Sequence, residues 1–490
     1  MPVKNVLMIS PEYYGYVMTG GLAMAVHGLS RALHRQGIDV RVVIPSYSKT
    51  SGSDKFLRQI PKVDIKTAML FDDKGIRIYQ VPDVFLDPLY TYFISRDIED
   101  SVHRRAAKEA FLAANFFSSG IPVVLEHLAK EYSWTPDVIH LHEWPTASAS
   151  ESLRRSKFSN IPIVVTTHNA QYIGRVPPME DKDLILSQSS PQQVRVLQAQ
   201  DQLFASLLEM GVFFSDAVTT VSESYAQELL AGMNVDPRVR KRLQDKGLEG
   251  ILNGLDHQLM NPAIDPYVSS FDPNDIQSVA YGKGRNKLVL HSKYKVTAGS
   301  DEMQVTMMGR LADQKGIDLV LSAAAGINGL HGLKLLVVGE TQENRVRQLL
   351  SGKLGINITG SLDFAKPEDQ HLILAGSDAI LMPSRYEPCG YVQLEGMRYG
   401  AIPIVTHVGG LKDTVVPFDG NNGYGVIIRE ATPEHITNAL REALQIFQNK
   451  ERWRIAVMNA LKEDFAWDGP RNSVGKYVQL YERVKEQRAA

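Results

Sequence analysis

The chain has 490 residues, of which 44% are hydrophobic and 22% are charged. This length fills two ordinary α/β cores and exceeds what one domain comfortably holds. The formal net charge of −2 provides no overall basic field, which argues against a nucleic-acid partner. Any anionic ligand must therefore be bound by local groups.

The cysteine content and the hydropathy favour a soluble protein of the reducing cytoplasm. Cys389 is the only cysteine, so neither an intramolecular disulfide nor a zinc-thiolate cluster is expected. The apolar run after Met1 is too short for a signal peptide, and no apolar stretch of about 18 residues follows it. We therefore expect no membrane span.

The N-terminal residues predict a βαβ unit. Asn5–Ser10 fits a strand, Leu22–Gln36 fits a helix that Gly37 ends, and Ile38–Pro45 is apolar again. Further apolar runs alternate with helical stretches and fit buried parallel strands of the same sheet. These runs are Val138–His142, Ile161–His168, Ala217–Ser222 and Gly250–Leu255. Residues 1–260 are therefore predicted to form a doubly wound N-terminal domain.

A second series of apolar runs predicts another Rossmann-like sheet over residues 275–465. Its members are Met303–Arg310, Leu333–Gly339, Asp378–Pro383, Ala401–Thr406 and Tyr424–Ile428. The interdomain linker is placed near 259–274. Within residues 466–490, Trp467–Gln487 fits a helix whose apolar side chains need a cover. We expect that helix to cross back to the first domain.

Polar residues concentrate where the predicted strands end, which is where open parallel sheets bind ligands. After the first strand, Gly20 and Gly21 precede a helix, so that backbone amides and the helix dipole can meet an anion. A glycine turn that serves packing alone is the alternative. The segment lacks the Gly-Lys-Ser/Thr ending of a Walker loop.

Histidines end two strands of the first domain. His140 and His142 share one face of their strand, with Glu143 opposite. Two histidines are compatible with a metal site, but no third ligand is evident, so a packed or hydrogen-bonded pair is favoured. His168 ends the following strand, where it suits either a hydrogen-bond donor to a substrate hydroxyl or a structural role.

Two cations follow the first strand of the second sheet. Arg310 is able to bind phosphate in a fork, and Lys315 supplies a point charge. Both lie where a ligand cleft is expected, so they are candidates for binding one polyanion. A solvated surface pair is the alternative.

The segment around Gly390 combines a tight turn with the start of a helix. A helix that begins near Gly390 would let the amides of Tyr391 and Val392 cap a diphosphate. Glu395 would then reach a ribose hydroxyl, and Glu387, just before the turn, would face the sugar. The alternative is that the two glutamates are a capping and a surface carboxylate.

Taken in order, these segments resemble the glycogen/starch synthases, family five of the retaining glycosyltransferases. The matching segments run along nearly the whole chain: Met18–Leu22, His140–Trp144, Thr166–Asn169, Thr220–Ser222, Ile251–Asp256, Arg310–Gly316, Pro383–Gly390, Arg398–Gly400 and Gly409–Asp413. The resemblance implies the GT-B fold, an α/β architecture with two Rossmann-like, doubly wound domains facing a cleft. It also implies transfer of glucose from ADP- or UDP-glucose to the nonreducing end of an α-1,4-glucan, with retention and without a metal or other cofactor.

The same resemblance implies roles for individual residues. Arg310 and Lys315 would bind the phosphates of the nucleotide-sugar and offset charge on the departing nucleotide. His168, Asn253 and Glu387 would hold the transferred sugar. Further donor contacts are implied for Gly20, Gly21, Gly390, Tyr391 and Val392, and acceptor or sugar contacts for Glu143 and Trp144. The donor contact expected of Glu395 follows from its place on the helix and not from this resemblance.

Five positions depart from the family pattern. Met18 stands where the family has Lys, Glu143 where it has Asp, and Val392 where it has Thr. Ser361 falls near a base-stacking Tyr of many bacterial members, and Glu395 gives a Glu-seven-Glu spacing that resembles family four. The alternatives are therefore a related retaining glycosyltransferase with another donor or a non-glucan acceptor, and a noncatalytic sugar-binding homologue.

Overall fold

The computed structural model divides into two compact units. Unit 1 comprises Met1–Gly254 with Asn472–Ala490, and unit 2 comprises Leu255–Arg471. The described residues are 2–46, 68–73, 75–82, 110–111, 113–175, 204–299, 301–341, 343–352, 354–362 and 367–489. The first domain, predicted over residues 1–260, therefore includes stretches that lie outside the described residues.

Unit 1 is built on one sheet, which is parallel apart from a hairpin at one edge. Its strands are β1 Asn5–Ile9, β2 Asp39–Ser46, β3 Ala68–Asp73, β4 Ile76–Pro82, β5 Val138–His142, β6 Ile163–Thr167, β7 Ala217–Thr220 and β8 Leu248–Gly250. Their order is β3-β4-β2-β1-β5-β6-β7-β8, and β3 pairs with β4 antiparallel. The strand order reverses between β1 and β5, and such a switch point is where doubly wound sheets bind ligands.

Helices cover this sheet. They are α1 Gly21–Arg35, α2 Ile121–Tyr132, α3 Trp144–Ala147, α4 Ala149–Arg154, α5 Leu207–Phe214, α6 Glu223–Ala231 and α7 Pro237–Lys246. Polar side chains start several of them: Ser206, Ser222 and Asp236 each accept a hydrogen bond from an amide in the first turn. These caps satisfy amides that have no partner inside the helix, and they fix where each helix begins.

Unit 2 contains a second, fully parallel sheet. Its strands are β9 Met303–Met308, β10 Leu333–Val338, β11 Ile358–Ser361, β12 Ala379–Met382, β13 Ile402–Thr406 and β14 Val426–Ile428. They lie in the order β11-β10-β9-β12-β13-β14, so the switch point falls between β9 and β12. The helices are α8 Ile276–Tyr294, α9 Ile317–Ser322, α10 Ala324–Asn328, α11 Asn344–Ser351, α12 Pro367–Gly376, α13 Val392–Arg398, α14 Gly409–Thr414, α15 Pro433–Gln448 and α16 Lys450–Lys462.

The segment 259–274, expected to be a linker, is instead anchored within unit 2. Asp265 is buried and lies 2.5 Å from His371 Nδ1. The amide of Ser269 donates to Asn286 Oδ1 at 2.8 Å, and the Asn286 side chain donates back to the Ser269 carbonyl at 2.9 Å. These polar contacts hold the segment against the rest of unit 2. The sequence does not reveal them, because the segment is rich in turn-forming residues and its partners lie elsewhere in the chain.

The C-terminal helix, α17 Ser473–Ala489, belongs to unit 1 and contacts α1. Lys485 Nζ lies 2.8 Å from Asp137 Oδ1, and Tyr481 Oη lies 2.7 Å from His140 Nδ1. The helix begins later than the predicted Trp467, whose side chain is buried in unit 2. The chain thus returns to its first sheet after completing the second.

Candidate active site

A lysine and a glutamate pair at the switch point of the unit 2 sheet. Lys315 follows β9 and Glu387 follows the adjacent strand β12, and Lys315 Nζ donates to Glu387 Oε2 at 2.5 Å. Ser384 Oγ donates to the same carboxylate oxygen at 3.0 Å. Gln314 Nε2 donates to the carbonyl of Tyr386 at 3.2 Å, which ties the two loops together. The carboxylate is thus buried and oriented beside a fixed cation.

Arg310 shares this loop with Lys315, as the sequence predicts. Its side chain is half-buried, and Nη2 donates to Gln314 Oε1 at 3.3 Å. Gly316 closes the loop with a φ of 74°, and an added Cβ would lie 2.4 Å from the carbonyl oxygen of Pro383. Only glycine fits this close approach, so the loop that carries both cations has a defined path.

The turn after β12 is packed against the start of α14. An added Cβ at Gly410 would lie 2.2 Å from the carbonyl oxygen of Cys389, so the two backbones touch here. Gly390 adopts a left-handed φ of 74° in the same turn. Helix α13 begins at Val392 with Tyr391 as its N-cap, two residues later than the predicted start at Gly390. The first helical amide is therefore that of Val392.

Glu387 and Glu395 are both buried, with exposed fractions of 5% and 1%. Gln370 Nε2 of α12 donates to Glu395 Oε2 at 2.7 Å. Burial raises the pKa of Glu395 to about 7, which this hydrogen bond partly opposes. The alternative of a capping and a surface carboxylate is wrong, because neither side chain lies on the surface. Contact of Glu395 with a ribose remains a prediction.

In unit 1, the histidines of β5 form the packed pair that the sequence favours, and each ring is hydrogen-bonded to other residues. The ring centroids of His140 and His142 are 4.0 Å apart. His140 Nδ1 lies 2.7 Å from Tyr481 Oη, and its Nε2 lies 2.6 Å from Thr166 Oγ1. Burial lowers the pKa of His140 to about 3, so the ring is neutral at physiological pH. This prediction is confirmed.

His168 is held at its backbone and at its ring. Glu143 Oε1 accepts hydrogen bonds from the amides of His168 and Asn169, the latter at 2.7 Å. His142 Nδ1 lies 3.1 Å from His168 Nε2. His168 is half-buried, and desolvation lowers its pKa to about 3. The residue is thus a neutral, fixed imidazole at the carboxyl end of β6.

Glu143 and Trp144 are both buried, and their predicted contact with an acceptor or sugar remains a prediction. Glu143 adopts a left-handed φ of 68° and its carboxylate binds backbone amides. The Trp144 side chain is 1% exposed, and its ring packs so closely on Gly174 that an added Cβ there would lie 2.3 Å from a ring carbon. The sequence pattern did not reveal this burial because both residues stand at a strand end.

The loop before α1 contains a residue that sequence reasoning missed. Gly20 and Gly21 are exposed at the start of α1, whose first turn carries no acidic side chain. Glu12 is buried, and its carboxylate accepts from the Thr19 amide at 2.9 Å and from Thr19 Oγ1 at 2.5 Å. Glu12 therefore fixes the approach to the glycines. A lone glutamate shortly after a strand is the only signal the sequence offers for it.

The remaining predicted donor residue, Asn253, follows β8 and is buried. Its amide donates to the carbonyl of Val221 at 3.4 Å, so it lies beside the carboxyl end of β7. Met18, where the family has Lys, is half-buried, and so is Ser361 at the end of β11. The donor role of Asn253 remains a prediction.

None of the helices that the structure describes is both long and apolar enough to cross a bilayer. Among the described residues, His, Cys, Asp and Glu side chains form no group of three or more suited to a metal ion. The side chain of Cys389 is buried.

Comparison with known proteins connects this geometry to a family. The model described as "Starch synthase catalytic domain" matches residues 5–254, and the model "Glycosyl transferases group 1" matches residues 292–457. Glycogen synthase of Thermotoga maritima is 31% identical, over 98% of this chain and 99% of that protein. The chain belongs to the glycogen/starch synthase family. Glycogen synthase 2 of Bradyrhizobium diazoefficiens is 30% identical over 100% of both chains.

Solved structures agree with this family assignment. The catalytic domain of starch synthase IV from Arabidopsis thaliana, bound to ADP and acarbose, has a TM-score of 0.79 and 25% identity over 99% of this chain and 100% of that one. Sucrose-phosphate synthase from Thermosynechococcus elongatus, with a TM-score of 0.59 and 17% identity over 98% and 99% of the two chains, shares the fold. The predicted GT-B fold and the assignment as a glycosyltransferase are confirmed.

Proposed function

We propose that this member of the glycogen/starch synthase family transfers glucose from ADP- or UDP-glucose to the nonreducing end of an α-1,4-glucan, with retention. The observation that carries the proposal is the ion pair between half-buried Lys315 and buried Glu387, which follow β9 and β12. The Arabidopsis relative, whose structure contains ADP and acarbose, supports the nucleotide and glucan classes.

The pair offers both signs of charge that glycosyl transfer needs. As the bond between the anomeric carbon and the diphosphate breaks, negative charge grows on the leaving group and positive charge on the sugar. Lys315 and Arg310 are suited to stabilise the negative charge on the leaving group, and the Glu387 carboxylate is suited to stabilise the positive charge on the sugar. Because both loops are fixed by hydrogen bonds, little reorganisation is needed during reaction.

We further propose that the reaction needs no metal or other cofactor, since cationic side chains and helix N-termini supply the electrostatic stabilisation. The partners are then a nucleotide-sugar and an α-glucan. A cytoplasmic location remains part of the proposal, because a chain whose single cysteine forms no intramolecular disulfide suits a reducing compartment.

The test measures transfer of labelled glucose from ADP-, UDP- and GDP-glucose to glycogen by the purified full chain, with and without EDTA. We expect incorporation that survives EDTA, with new α-1,4 linkages detected by NMR, and loss of incorporation in Glu387→Gln. Absence of transfer from every donor would refute the proposed function. Activity that EDTA abolishes and Mg²⁺ restores would refute the metal-independent mechanism.

A related transferase with a different donor or acceptor is the second candidate. Glu395 favours it, because this buried carboxylate stands where the synthases usually lack a second Glu and is held by Gln370. A panel of nucleotide-sugars with other hexoses separates the two. Faster turnover of a non-glucose donor, or transfer to a non-glucan acceptor, would favour this second candidate.

A further inference from the structure

The contact between His142 and His168 has a direction that determines what His168 offers to a ligand. One hydrogen must lie between His142 Nδ1 and His168 Nε2, which are 3.1 Å apart. Desolvation lowers the pKa of both rings, so each is a neutral imidazole with one N–H and one bare nitrogen. The identity of the donor therefore fixes the tautomer of both rings.

The burial of His142 distinguishes the two arrangements. His142 is 1% exposed, and its Nε2 is buried without a hydrogen-bond partner among the described residues. If His168 donated, His142 would carry its hydrogen on Nε2, leaving a buried N–H unmatched. If His142 donates from Nδ1, its Nε2 is a bare acceptor instead. Buried N–H groups without partners are the rarer case in proteins, so donation by His142 is favoured.

The surrounding contacts restrain the pair. The ring centroids of His140 and His142 are 4.0 Å apart, and the nitrogens of His140 are bonded to Tyr481 and Thr166. Glu143 accepts a hydrogen bond from the backbone amide of His168. A flip of either ring would break the hydrogen bond between His142 Nδ1 and His168 Nε2.

We propose that His142 is a positioning residue that donates its Nδ1–H to His168 Nε2 and thereby keeps the hydrogen of His168 on Nδ1, directed to a hydroxyl of the transferred sugar. This inference rests on the proposed function, in which His168 contacts that sugar. The hydrogen bond made by one imidazole nitrogen sets the protonation of the other, so the role of His142 is exerted through His168. Because His168 then presents a fixed Nδ1–H donor, it favours a ligand group that accepts a hydrogen bond, as a sugar hydroxyl does.

The direct test is nitrogen NMR of the full chain labelled with ¹⁵N-histidine, with His168 assigned from a His168→Gln variant. We expect wild-type His168 to be protonated at Nδ1 and bare at Nε2. In His142→Phe, which keeps a ring but removes the donor, we expect His168 to be no longer held in the Nδ1–H form, so that both tautomers are populated. A wild-type His168 protonated at Nε2, or a tautomer that His142→Phe leaves unchanged, would overturn the proposal.

A conservative variant separates positioning from folding. Asn places an amide N–H near the position of imidazole Nδ1, so His142→Asn should restore the Nδ1–H tautomer and most of kcat/KM. His142→Phe should lower kcat/KM about tenfold, the loss of one hydrogen bond in the transition state. His140→Phe is the matched control. It changes the ring that packs on His142 but leaves the His142 Nδ1 donor in place, so His168 should keep its tautomer.

Failure of the proposed function and failure of the positioning role of His142 give different results. The tautomer is measured without turnover, so a wild-type chain that lacks glucan elongation would refute the proposed function alone. Equal kinetic and spectroscopic effects of His142→Asn and His142→Phe would refute the positioning role alone. A double variant with His168→Ala should show no further loss from His142→Phe, because the second residue acts only through the first.

Discussion

The main-chain N–H of Gly410 donates a 2.9 Å hydrogen bond to the carbonyl oxygen of Glu387. The same glycine touches the backbone of Cys389, where an added Cβ would lie 2.2 Å from the carbonyl oxygen. Because backbone atoms are unable to yield as a flexible side chain does, the start of α14 and the turn that carries Glu387 form one rigid contact.

Gly410→Ala should therefore displace the Glu387 turn. We expect a loss of about 1–3 kcal/mol in unfolding free energy, as for an overpacked core, and at least about a tenfold loss in kcat/KM. Gly284→Ala is the matched control, because Gly284 is exposed within α8 and an added Cβ meets nothing within 4 Å. It should stabilise unit 2 by up to about 1 kcal/mol. Urea denaturation and steady-state kinetics of both variants test this, and a harmless Gly410→Ala would contradict it.

Removing either cation of the β9 loop should weaken transition-state stabilisation. Arg310→Ala and Lys315→Ala are each expected to lower kcat/KM by at least about tenfold, or roughly 1.4 kcal/mol. Lys293→Ala serves as a control, since Lys293 forms an ion pair with Asp369 that joins α8 to α12. It should retain kcat/KM within about twofold, because this part-buried pair joins two helices and does not touch the β9 loop. Wild-type kinetics in both loop variants would remove these residues from the site.

The two buried glutamates should affect different kinetic constants. Glu387→Gln is expected to depress kcat, because its interaction strengthens as positive charge develops on the anomeric carbon. Glu395→Gln should chiefly raise KM for the nucleotide-sugar, and the effect should shrink with a donor whose ribose lacks a hydroxyl. Initial-rate kinetics with both donors provide the measurement. Equal damage to kcat and KM from both substitutions would show that the assignments are wrong.

Glu395 should also make stability depend on pH. Burial raises its pKa from the usual 4.5 to about 7, so between these pH values the folded chain holds a proton that the unfolded chain has released. Stability from this group is present at low pH and falls as pH rises toward 7. Glu395→Gln lacks this fall, so its unfolding free energy relative to wild type should rise by on the order of 2 kcal/mol from pH 5 to pH 8. Denaturant titrations at both pH values would contradict this if the difference stayed constant.

The sequence predicts the central strands well and the edges poorly. β5 has the predicted bounds Val138–His142, because a strand buried on both faces is a continuous apolar run. β8, Leu248–Gly250, lies at the edge and is partly exposed, so the sequence wrongly predicts the strand in the apolar run Gly250–Leu255 that follows. The sequence does not predict β11, Ile358–Ser361, because its Thr-Gly-Ser ending carries no apolar pattern.

For the site, strand ends could be located from sequence, but the contacts among their side chains could not. Lys315 and Glu387 are 72 residues apart in the chain, and Gln370 and Glu395 are 25 apart. Local periodicity carries no information about such pairs. The first arises only when β9 and β12 lie side by side, and the second only when α12 packs on α13. The burial of Trp144 was hidden for the same reason, since Gly174 meets it from a distant segment.

The return of α17 to unit 1 has a consequence for how the chain folds as it leaves the ribosome. His140 and Asp137 obtain partners in Tyr481 and Lys485 only after more than three hundred further residues have been synthesised. β5, at the centre of the first sheet, must therefore remain incompletely covered while unit 2 is made. A chain that ended at Arg471 would hold every residue of unit 2 but would lack α17 from unit 1.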